Sequence, residues 1–324
     1  MGSSNTRQFL SSFWGNSETC DVYILDNGST SESVKEISYQ GFFEEEKSLW
    51  KDIDGISYGE AEPIKVVSLE DFDTYLLGNS VPHGVTLVSS KENLGFASGN
   101  NVLIKYLQKH CAYTHYWFIN NDTVLDECSV ENLKESLAQV SPLDLVGTIV
   151  LYYDDPDKVQ YYGGSRLYMN KGSVVGLYQN KNMLDIPTIT RTPDVLTGSS
   201  MVVSRELVDK GIVFNPEYFF YWEDVDLSMR AKNHGGSIVV CNNVKVFHKE
   251  KMTIGRKSAK SEMYFTQYSI LFQKYHGTIK SLITSFLYHV LRIGKRLVTF
   301  KFRHAWGNIK GLFRGILQRK QNLA

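Results

Sequence analysis

The sequence is poor in cysteine, and its four cysteines (Cys20, Cys111, Cys128 and Cys241) are scattered along 324 residues. No CxxC pair or metal-finger spacing occurs, so neither a disulfide framework nor a zinc site is predicted. No run of about 18 apolar residues and no signal peptide are visible, which disfavours a membrane-spanning helix. These absences predict a cytoplasmic protein whose contact with membranes, if it has any, is peripheral.

A dinucleotide-binding fingerprint is absent as well. The loop after the apolar segment at residues 84–90 reads KENLGFASGNN, which is not GxGxxG, so a dehydrogenase is disfavoured. No internal repeat or low-complexity block occurs, and 42% hydrophobic with 22% charged residues is ordinary for a folded protein. The length predicts one large core with a smaller appendage.

Charge is unevenly distributed although the formal net charge is zero. Residues 263–324 hold eleven of the 35 Lys and Arg residues and no Asp or Glu. The first 262 residues therefore carry all 35 acidic residues against the remaining 24 basic ones. The body of the protein is acidic and its tail is basic.

The basic tail predicts three helices in which apolar and basic positions are mixed. This pattern is typical of interfacial helices attracted to anionic lipid. The alternative is a helical cap packed on the rest of the chain or on a second copy, and nucleic acid is disfavoured because the apolar faces are too large for a phosphate-binding arm. The apolar positions of the last two helices are Leu282, Phe286, Tyr288, His289, Leu291, Ile293, Trp306, Ile309, Leu312, Phe313, Ile316 and Leu317.

Apolar strands alternate with helical segments ahead of this tail. An amphipathic helix at residues 5–13 precedes a strand at residues 22–25, which ends at Asp26 and a turn at Asn27. A later strand at residues 84–90 is followed by a glycine-containing loop and a helix. The alternation predicts an α/β domain over residues 1–255, with a helical region over 256–324. In α/β sheets, ligand-binding groups gather at the ends of strands.

A further strand, rich in aromatic residues, stops at Asn120, Asn121 and Asp122. An aspartate at the carboxyl end of a buried strand is costly unless it is paired, so a metal ion, an arginine or backbone amides are expected to meet it. The alternative is an Asx-type turn closed by Asp122.

The segment FFYWEDVDLSMRAKNHG (residues 219–235) sets three carboxylates behind an aromatic run. Glu223, Asp224 and Asp226 open a predicted helix, whose dipole is expected to help hold the first two ionised. Asp226 has two open interpretations, a functional carboxylate or an i,i+4 ion pair with Arg230. For Asp224 we favour a functional role, because carboxylates crowded at a helix start rarely serve packing.

Six segments occur in an order that is specific when they are taken together. They are LDNGST (25–30), ENLGFASGNN (92–101), FINNDT (118–123), LTGSSMVVSR (196–205), FFYWEDVDLSMRAKNHG (219–235) and VFH (246–248). Over roughly residues 5–250 the sequence thus resembles the bacterial family 2 glycosyltransferases, in particular their rhamnosyltransferase-like branch, which builds surface polysaccharides and lipid-linked glycans.

The resemblance implies a GT-A fold, with a nucleotide-binding mixed α/β sheet, and transfer of a sugar from a nucleotide donor with inversion. Asp122 matches the acid of the family's DXD-type metal motif, although Asn120 replaces the other acid. His248 matches a position that completes the metal shell in some relatives. The implied cofactor is Mn²⁺ or Mg²⁺, and imidazole favours Mn²⁺. Asp224 matches the general base that takes a proton from the acceptor hydroxyl.

The resemblance assigns further groups by position. Glu223 and Asp226 would support the loop or bind acceptor hydroxyls, and Gly198 with Ser199 would shape the floor of the acceptor site. Tyr221 and Trp222 would either stack on a sugar or serve as plain core aromatics. Glycines of the 92–101 segment would let backbone approach the ligand. The implied nucleotide-binding residues are Asp26, Asn27, Asn93, Gly95, Asn120 and Asn121.

One departure concerns the amino terminus. Family members begin with an apolar strand in the middle of the sheet, and this sequence starts after it, so a missing first strand and weakened donor binding are expected. Two functions follow: an inverting, metal-dependent glycosyltransferase at the inner face of the cell membrane, with a possible homodimer, or a non-catalytic sugar-nucleotide-binding relative.

Overall fold

The structure is a computed structural model that describes residues 2–16, 20–29, 31–39, 50, 53–54, 56–60, 62–78, 84–187, 191–249 and 258–321. Its described elements form two sheets with helices packed on them, followed by a helical tail. The predicted domain boundary at residue 255 lies outside the described residues.

The amino-terminal part holds a parallel sheet of three strands in the order β1-β3-β2. Its strands alternate with helices, as the sequence predicted. The strands are β1 (Val22–Asn27), β2 (Ile64–Ser68) and β3 (Val85–Ser90), and the helices are α1 (Gly2–Trp14), α2 (Ser31–Ser38), α3 (Phe72–Gly78) and α4 (Gly95–His110).

A mixed sheet of nine strands follows along the chain. The path β10-β8-β7-β6-β11-β4 forms its body, β12 pairs with β5 and β6, and β9 pairs with β8. Its strands are β4 (His115–Ile119), β5 (Thr123–Leu125), β6 (Leu145–Tyr152), β7 (Val159–Tyr162), β8 (Gly164–Tyr168), β9 (Ser173–Gly176), β10 (Val195–Leu196), β11 (Ser200–Ser204) and β12 (Ile238–His248). Its helices are α5 (Ser129–Leu137), α6 (Arg205–Asp209) and α7 (Glu223–Asn233).

Apolar strands and one amphipathic helix bury the core of this assembly. All but the last residue of β6 are buried, as expected of a strand covered on both faces. Phe9, Leu10 and Phe13 of α1 are buried against a cluster that includes Leu125 and Val246. Truncation of a fully buried leucine such as Leu10 costs about 2–5 kcal/mol, so α1 is firmly anchored beside the mixed sheet.

The two sheets face each other across a cavity of about 780 Å³, with β1 on one side and β4 on the other. The hydroxyl of Tyr113, before β4, donates to Asp21, before β1, at 2.5 Å. Asn27 and Asn120, at the far ends of these strands, line the same cavity, so β1 and β4 run in one direction. Within the described residues no strand lies between β1 and β4.

The basic tail forms three helices, α8 (Ala259–His276), α9 (Ile279–Val298) and α10 (Phe302–Leu317). A stripe of glycines lets α10 lie directly on α8: a Cβ at Gly307 or Gly311 would collide with the carbonyl oxygens of Ala259 and Met263. Within the tail α10 is thus tightly paired with α8, and α8 packs on the rest of the chain through a cluster that contains Trp222 and Phe272.

The exposed face of α9 differs from the one predicted. His289 is fully buried against the hydroxyl of Ser269, at 3.0 Å, and burial lowers its pKa to about 4. On α10 the predicted apolar positions are exposed except Leu312. The exposed large apolar side chains of the two helices and their connection are Ile279, Ile283, Leu287, Val290, Leu291, Leu297, Val298, Phe300, Phe302, Trp306, Ile309, Phe313, Ile316 and Leu317. No helix of the described residues is long and apolar enough to cross a membrane.

Candidate active site

Two strained residues set the position of the predicted base. Tyr221 and Trp222 both adopt φ 74°, a left-handed conformation that is rare for bulky residues, and α7 begins at the next position. Such conformations cost about 1–3 kcal/mol each and cluster at functional sites. Trp222 is held by a hydrogen bond from its indole nitrogen to the carbonyl of Phe265, at 3.1 Å. This turn aims the first residues of α7 at the strand β10 and its loop.

Asp224 is anchored by backbone amides on both carboxylate oxygens. Gly198 N–H donates to Oδ2 at 2.8 Å, and Val225 N–H donates to Oδ1 at 2.8 Å. These bonds favour the ionised carboxylate, yet burial outweighs them and raises the pKa of Asp224. Gly198 therefore helps to position Asp224. Ser199 is buried, and its hydroxyl lies 3.1 Å from that of Thr197.

Glu223 is buried beside Asp224, and its Oε2 has no hydrogen-bond partner among the described residues. Burial first, and the charge of Asp224 second, raise the pKa of Glu223 well above its ordinary value. The expectation that the helix dipole keeps both carboxyls ionised is therefore wrong, because desolvation is the larger effect. Only Asp224 has amide donors on both oxygens, and these hydrogen bonds oppose the effect of burial on its pKa.

A cavity of about 370 Å³ opens in front of the two carboxyls. It is bounded by the turn before α7, by the small strands around β9, and by the tail helices α8 and α9. Its polar and charged lining includes Glu223, Asp224, Thr197, Ser261, Glu262 and Arg292.

Asp226 does not belong to this cavity. It is fully buried and bound to Arg230 at 2.7 Å and to His276 at 2.8 Å. Of its two interpretations, the i,i+4 ion pair is the one that the structure contains, with His276 as an additional partner from α8. Asp226 thus fastens α7 to the tail.

The two aromatic residues before α7 differ in role. Trp222 is 2% exposed and packs on Phe272 with ring centroids 4.9 Å apart, so the core interpretation describes it best. Tyr221 is half-buried and lines the cavity, where its ring is available to a ligand.

The predicted metal ligands come together at the ends of two other elements. Asp122, in the turn after β4, places Oδ1 3.0 Å from Nε2 of His248, the last residue of β12. The side-chain amide of Asn120 lies 3.4 Å from the same nitrogen. Nδ1 of His248 lies 2.8 Å from Oε1 of the buried Gln160. Because that oxygen accepts, Nδ1 carries a proton, and Nε2 is left to face the carboxylate.

This geometry fits a divalent cation. Nε2 and the carboxylate oxygen lie 3.0 Å apart, a separation at which either a proton or a cation can lie between them. The described residues contain no group of three or more His, Cys, Asp and Glu side chains that could hold a metal ion. Asp122 and His248 would supply two ligands, and a bound ion would take its other ligands from water or from a ligand such as a diphosphate.

One short loop joins the metal end to the base end. Between β10 and β11, Ser199 accepts a hydrogen bond from Asn120 N–H at 3.1 Å, while the preceding Gly198 N–H binds Asp224. The Asp122–His248 pair and Asp224 are therefore neighbours across this loop.

Most of the predicted nucleotide-binding residues line the cavity between β1 and β4, but several serve the protein itself. Asn27 accepts from Leu94 N–H at 2.7 Å and donates to the carbonyl of Gly95 at 3.0 Å. Asn121 donates to the hydroxyl of Thr6 at 2.8 Å. Asp26 is buried in the same cavity, whereas the exposed Asn93 lies outside its lining and accepts from Gly95 N–H.

Two glycines of the 92–101 segment are closely packed against other side chains. Gly95 has φ 76°, and a Cβ there would lie 2.7 Å from the ring of Phe219. At Gly99 it would lie 2.7 Å from Leu25. Protein side chains approach these glycines closely, and both glycines also line the cavity between β1 and β4.

Sequence reasoning missed Gln160, Glu262, Phe265 and Arg292. Gln160 lies in a Tyr-rich segment with no distinguishing pattern. Arg292 had a readable signal: with Ser285, His289 and Arg296 it forms a polar stripe at helical spacing, which a purely interfacial helix would not place inward.

The family model described as glycosyltransferase like family 2 matches residues 76–267, which is more than half of the chain. The chain belongs to this family. The family and the order of strands and helices confirm the mixed α/β fold of GT-A type that the sequence predicted. The matched segment includes Asp122, His248 and the whole of α7.

Two solved structures illustrate its relatives. The mannosyltransferase PcManGT from Pyrobaculum calidifontis, in complex with GDP-Man and Mn²⁺, is 10% identical with a TM-score of 0.49, over 97% of this chain and 83% of that one. The structure of GalNAc-T7 with UDP, GalNAc and Mn²⁺ is 11% identical with a TM-score of 0.43, over 84% of this chain and 57% of that one. This chain thus spans 57% of the length of the GalNAc-T7 chain. No curated protein matches the sequence.

Proposed function

We propose that this family 2 protein is an inverting, metal-dependent glycosyltransferase that moves a sugar from a nucleotide donor to a glycan or lipid-linked acceptor. The observation that carries the proposal is Asp224: a carboxylate held by two backbone amides, behind a strained turn, at the edge of a cavity of about 370 Å³. The rhamnosyltransferase-like branch and a role in surface polysaccharide synthesis are part of the same proposal.

Asp224 has the chemistry of the general base. In a single displacement the acceptor oxygen forms a bond to the anomeric carbon while the bond from that carbon to the diphosphate breaks, and the hydroxyl proton passes to a carboxylate. The amides of Gly198 and Val225 fix the orientation of this carboxylate. Its raised pKa brings it closer to the pH at which a base works best. The charge that develops at the anomeric carbon is stabilised by the same carboxylate.

Asp122 and His248 are the residues that would hold Mn²⁺ or Mg²⁺. Such an ion supplies Lewis-acid neutralisation of the diphosphate leaving group. The chain's own contribution is the hydrogen bond between Gln160 and Nδ1 of His248, which orients the imidazole and leaves Nε2 available.

We propose that the tail binds the anionic face of a membrane, at the inner side of the cell membrane. The exposed apolar side chains of α9 and α10 lie on helices that carry lysines and arginines and no acidic residue. The tail would form a helical region distinct from the transferase domain, and a homodimer stays possible through the same face. The basic side chains of these helices are Lys280, Arg292, Lys295, Arg296, Arg303, Lys310 and Arg314.

A non-catalytic sugar-nucleotide-binding protein is the second candidate. It is favoured by the split between β1 and β4 and by the single aspartate of the metal motif.

Release of nucleoside diphosphate separates the two candidates. A panel of UDP-, dTDP- and GDP-sugars is incubated with the full chain and Mn²⁺, with and without chelator. The transferase releases diphosphate from at least one donor, and Asp122→Ala abolishes the metal-dependent part. Binding of a sugar nucleotide without any release, under all conditions and with membrane extracts added as acceptor, would establish the second candidate.

A further inference from the structure

The cavity in front of Asp224 has a cationic wall that the proposed transfer does not use. Arg292, from helix α9 of the tail, lines this cavity together with Glu223 and Asp224. Its guanidinium lies 5.4 Å from the centre of the Phe265 ring, which fixes its plane. A tail helix therefore contributes a side chain to the cavity that holds the proposed base.

The charge around Arg292 does not cancel. Glu262 binds Arg292 at 2.9 Å and also binds Arg296, so one carboxylate serves two guanidinium groups. Arg296 is directed away, toward the carbonyl of His304 and the side chain of Asn308. Asn308 in turn donates to Glu262 at 3.2 Å. Within the tail, the group of Arg292, Arg296 and Glu262 thus carries a net charge of about +1, and the Asp224 carboxylate lines the same cavity.

Arg292 keeps donors for a ligand. A guanidinium has five N–H donors. Among the described residues, the hydrogen bond of Arg292 to Glu262 uses one of its two terminal nitrogens. Its side chain is 27% exposed, and that exposed part borders the cavity. An arginine held in this way presents a fork that matches the oxygens of a phosphate.

The opposite wall is compatible with an anion. Glu223 is 7% exposed, and its Oε2 has no described partner. Burial raises the pKa of Glu223, which favours its protonated carboxyl, and that form can donate a hydrogen bond to a ligand. A cavity of about 370 Å³ holds one sugar ring with an attached anionic group.

We propose that this cavity binds an acceptor that carries a phosphate ester, with Arg292 as the residue that contacts the phosphate. The proposal rests on the proposed function, since it names the class of acceptor that Asp224 would deprotonate. A lipid phosphate and a free sugar phosphate share this chemistry. Because Arg292 is supplied by α9, whose outer face is apolar, the acceptor cavity and the exposed face of the tail belong to one helix.

Direct binding tests the proposal without any donor. Isothermal titration of the full chain compares glucose 1-phosphate, octyl phosphate, glucuronate and methyl α-glucoside. We expect both phosphates to bind at least about tenfold more tightly than methyl α-glucoside, as a charged hydrogen-bonded pair predicts. If octyl phosphate binds more tightly than glucose 1-phosphate, the acceptor carries its phosphate on a lipid. If glucose 1-phosphate binds more tightly, the acceptor is a free sugar phosphate. Equal binding of charged and neutral ligands, or tighter binding of glucuronate, would overturn the proposal.

Variants locate the phosphate contact. Arg292→Gln should weaken both phosphates about tenfold or more and leave methyl α-glucoside within about twofold. Arg292→Lys keeps the ion pair with Glu262 but loses the fork, so it should fold and show an intermediate loss. The matched control is Arg191→Gln, an exposed arginine outside the cavity, which should bind like the unmodified chain. Full phosphate affinity in both Arg292 variants contradicts the proposal.

The outcome is independent of transfer activity. Phosphate binding that depends on Arg292, in a chain that releases no nucleoside diphosphate from any donor, would refute the glycosyltransferase and leave the anion site. Transfer activity without any preference for phosphate would leave the glycosyltransferase and refute the anion site.

Discussion

The proposed donor side and the proposed acceptor side of this molecule differ in how well their groups are ordered before a ligand binds. On the acceptor side, both oxygens of Asp224 are bound by amides, Glu223 is buried beside it, and Arg292 closes the cavity. On the donor side, β1 and β4 face each other across about 780 Å³. The side chain of Asn27 accepts a hydrogen bond from Leu94 N–H, and that of Asn121 donates one to the hydroxyl of Thr6. The acceptor side is preorganised, whereas the donor side has backbone edges that a further strand would pair.

The comparison shows which side is already ordered before its ligand binds. A preorganised carboxylate needs little reordering when an acceptor arrives. An open pair of sheet edges leaves backbone N–H and C=O groups without ladder partners, which costs stability. We therefore expect donor binding to limit the activity of this protein. We also expect substitutions on one side to leave ligand affinity on the other side nearly unchanged.

The largest expected effect comes from filling the space between β1 and β4. Helix α1 begins beside Asn121, at the carboxyl end of this space, where a strand parallel to β1 and β4 would end. Extending the chain upstream of Gly2 with a six-residue Val- and Ile-rich segment should raise the free energy of unfolding by roughly 3 kcal/mol or more, since each new ladder bond contributes about 1 kcal/mol. Urea unfolding measures the change, and donor affinity should rise with it.

The control extension has the same length and is rich in Gly, Ser and Pro, so it cannot form the ladder. Equal unfolding midpoints for the two extensions would show that the space between β1 and β4 is not a strand position.

A smaller effect is expected from the residue that orients His248. Gln160→Leu removes the oxygen that binds Nδ1, so Mn²⁺ affinity should fall about 10- to 100-fold. Titration of Mn²⁺ by calorimetry in the presence of UDP measures this loss. Gln139→Leu, at an exposed position, serves as the control. Unchanged Mn²⁺ affinity in Gln160→Leu would remove His248 from the metal site.

The acceptor side can be disturbed alone through the tail. Gly311→Ala places a Cβ against the carbonyl of Met263 and should cost about 1–3 kcal/mol of unfolding free energy by overpacking. Because α8 carries Glu262 and Phe265, transfer to acceptor should fall while donor affinity stays constant. Gly294→Ala is the matched control, since a Cβ there meets nothing within 4 Å. Loss of donor affinity in Gly311→Ala would contradict the separation of the two sides.

The smallest effect concerns the pH dependence of stability. The folded-state pKa of Glu223 is raised above its ordinary value of 4.5, so the folded chain binds this proton more tightly than the unfolded chain. Stability is therefore fully present below about pH 4.5 and declines as pH rises toward the folded pKa, by at most about 1.4 kcal/mol per pH unit.

Glu223→Gln should flatten this decline, and the exposed Glu131→Gln should not. Urea unfolding between pH 5 and pH 8 provides the comparison. An unaltered slope in Glu223→Gln would mean that Glu223 is ionised in the folded chain.

Local patterns predicted much of the fold and the chemistry at strand ends. The predicted helix at residues 5–13 lies within α1, and the strand predicted to end at Asp122 stops just before it, at Ile119. The pairing of Asp122 with His248 follows from parallel pairing of β6 with β12 and antiparallel pairing of β5 with β12, which motif order alone does not show. The sequence identifies where strands end, but which strands lie side by side is known only from their pairing in the sheet.

The remaining features depend on packing between distant segments. The sequence does not show that burial would outweigh the helix dipole at Glu223, because burial depends on α8 and α9 covering the start of α7. The glycines at 307, 311 and 315 let α10 and α8 pack closely. The four-residue spacing of these glycines is visible in the sequence, but the sequence does not show that they face α8.

One measurement tests the central claim most directly: steady-state transfer and donor binding in Asp224→Asn, side by side with the unmodified chain, using the donor identified by diphosphate release. Asn keeps the size of the side chain and loses the basic oxygen. We predict turnover at least about 100-fold lower with donor affinity, measured by calorimetry with Mn²⁺, within about twofold. Turnover near that of the unmodified chain would show that Asp224 is not the base.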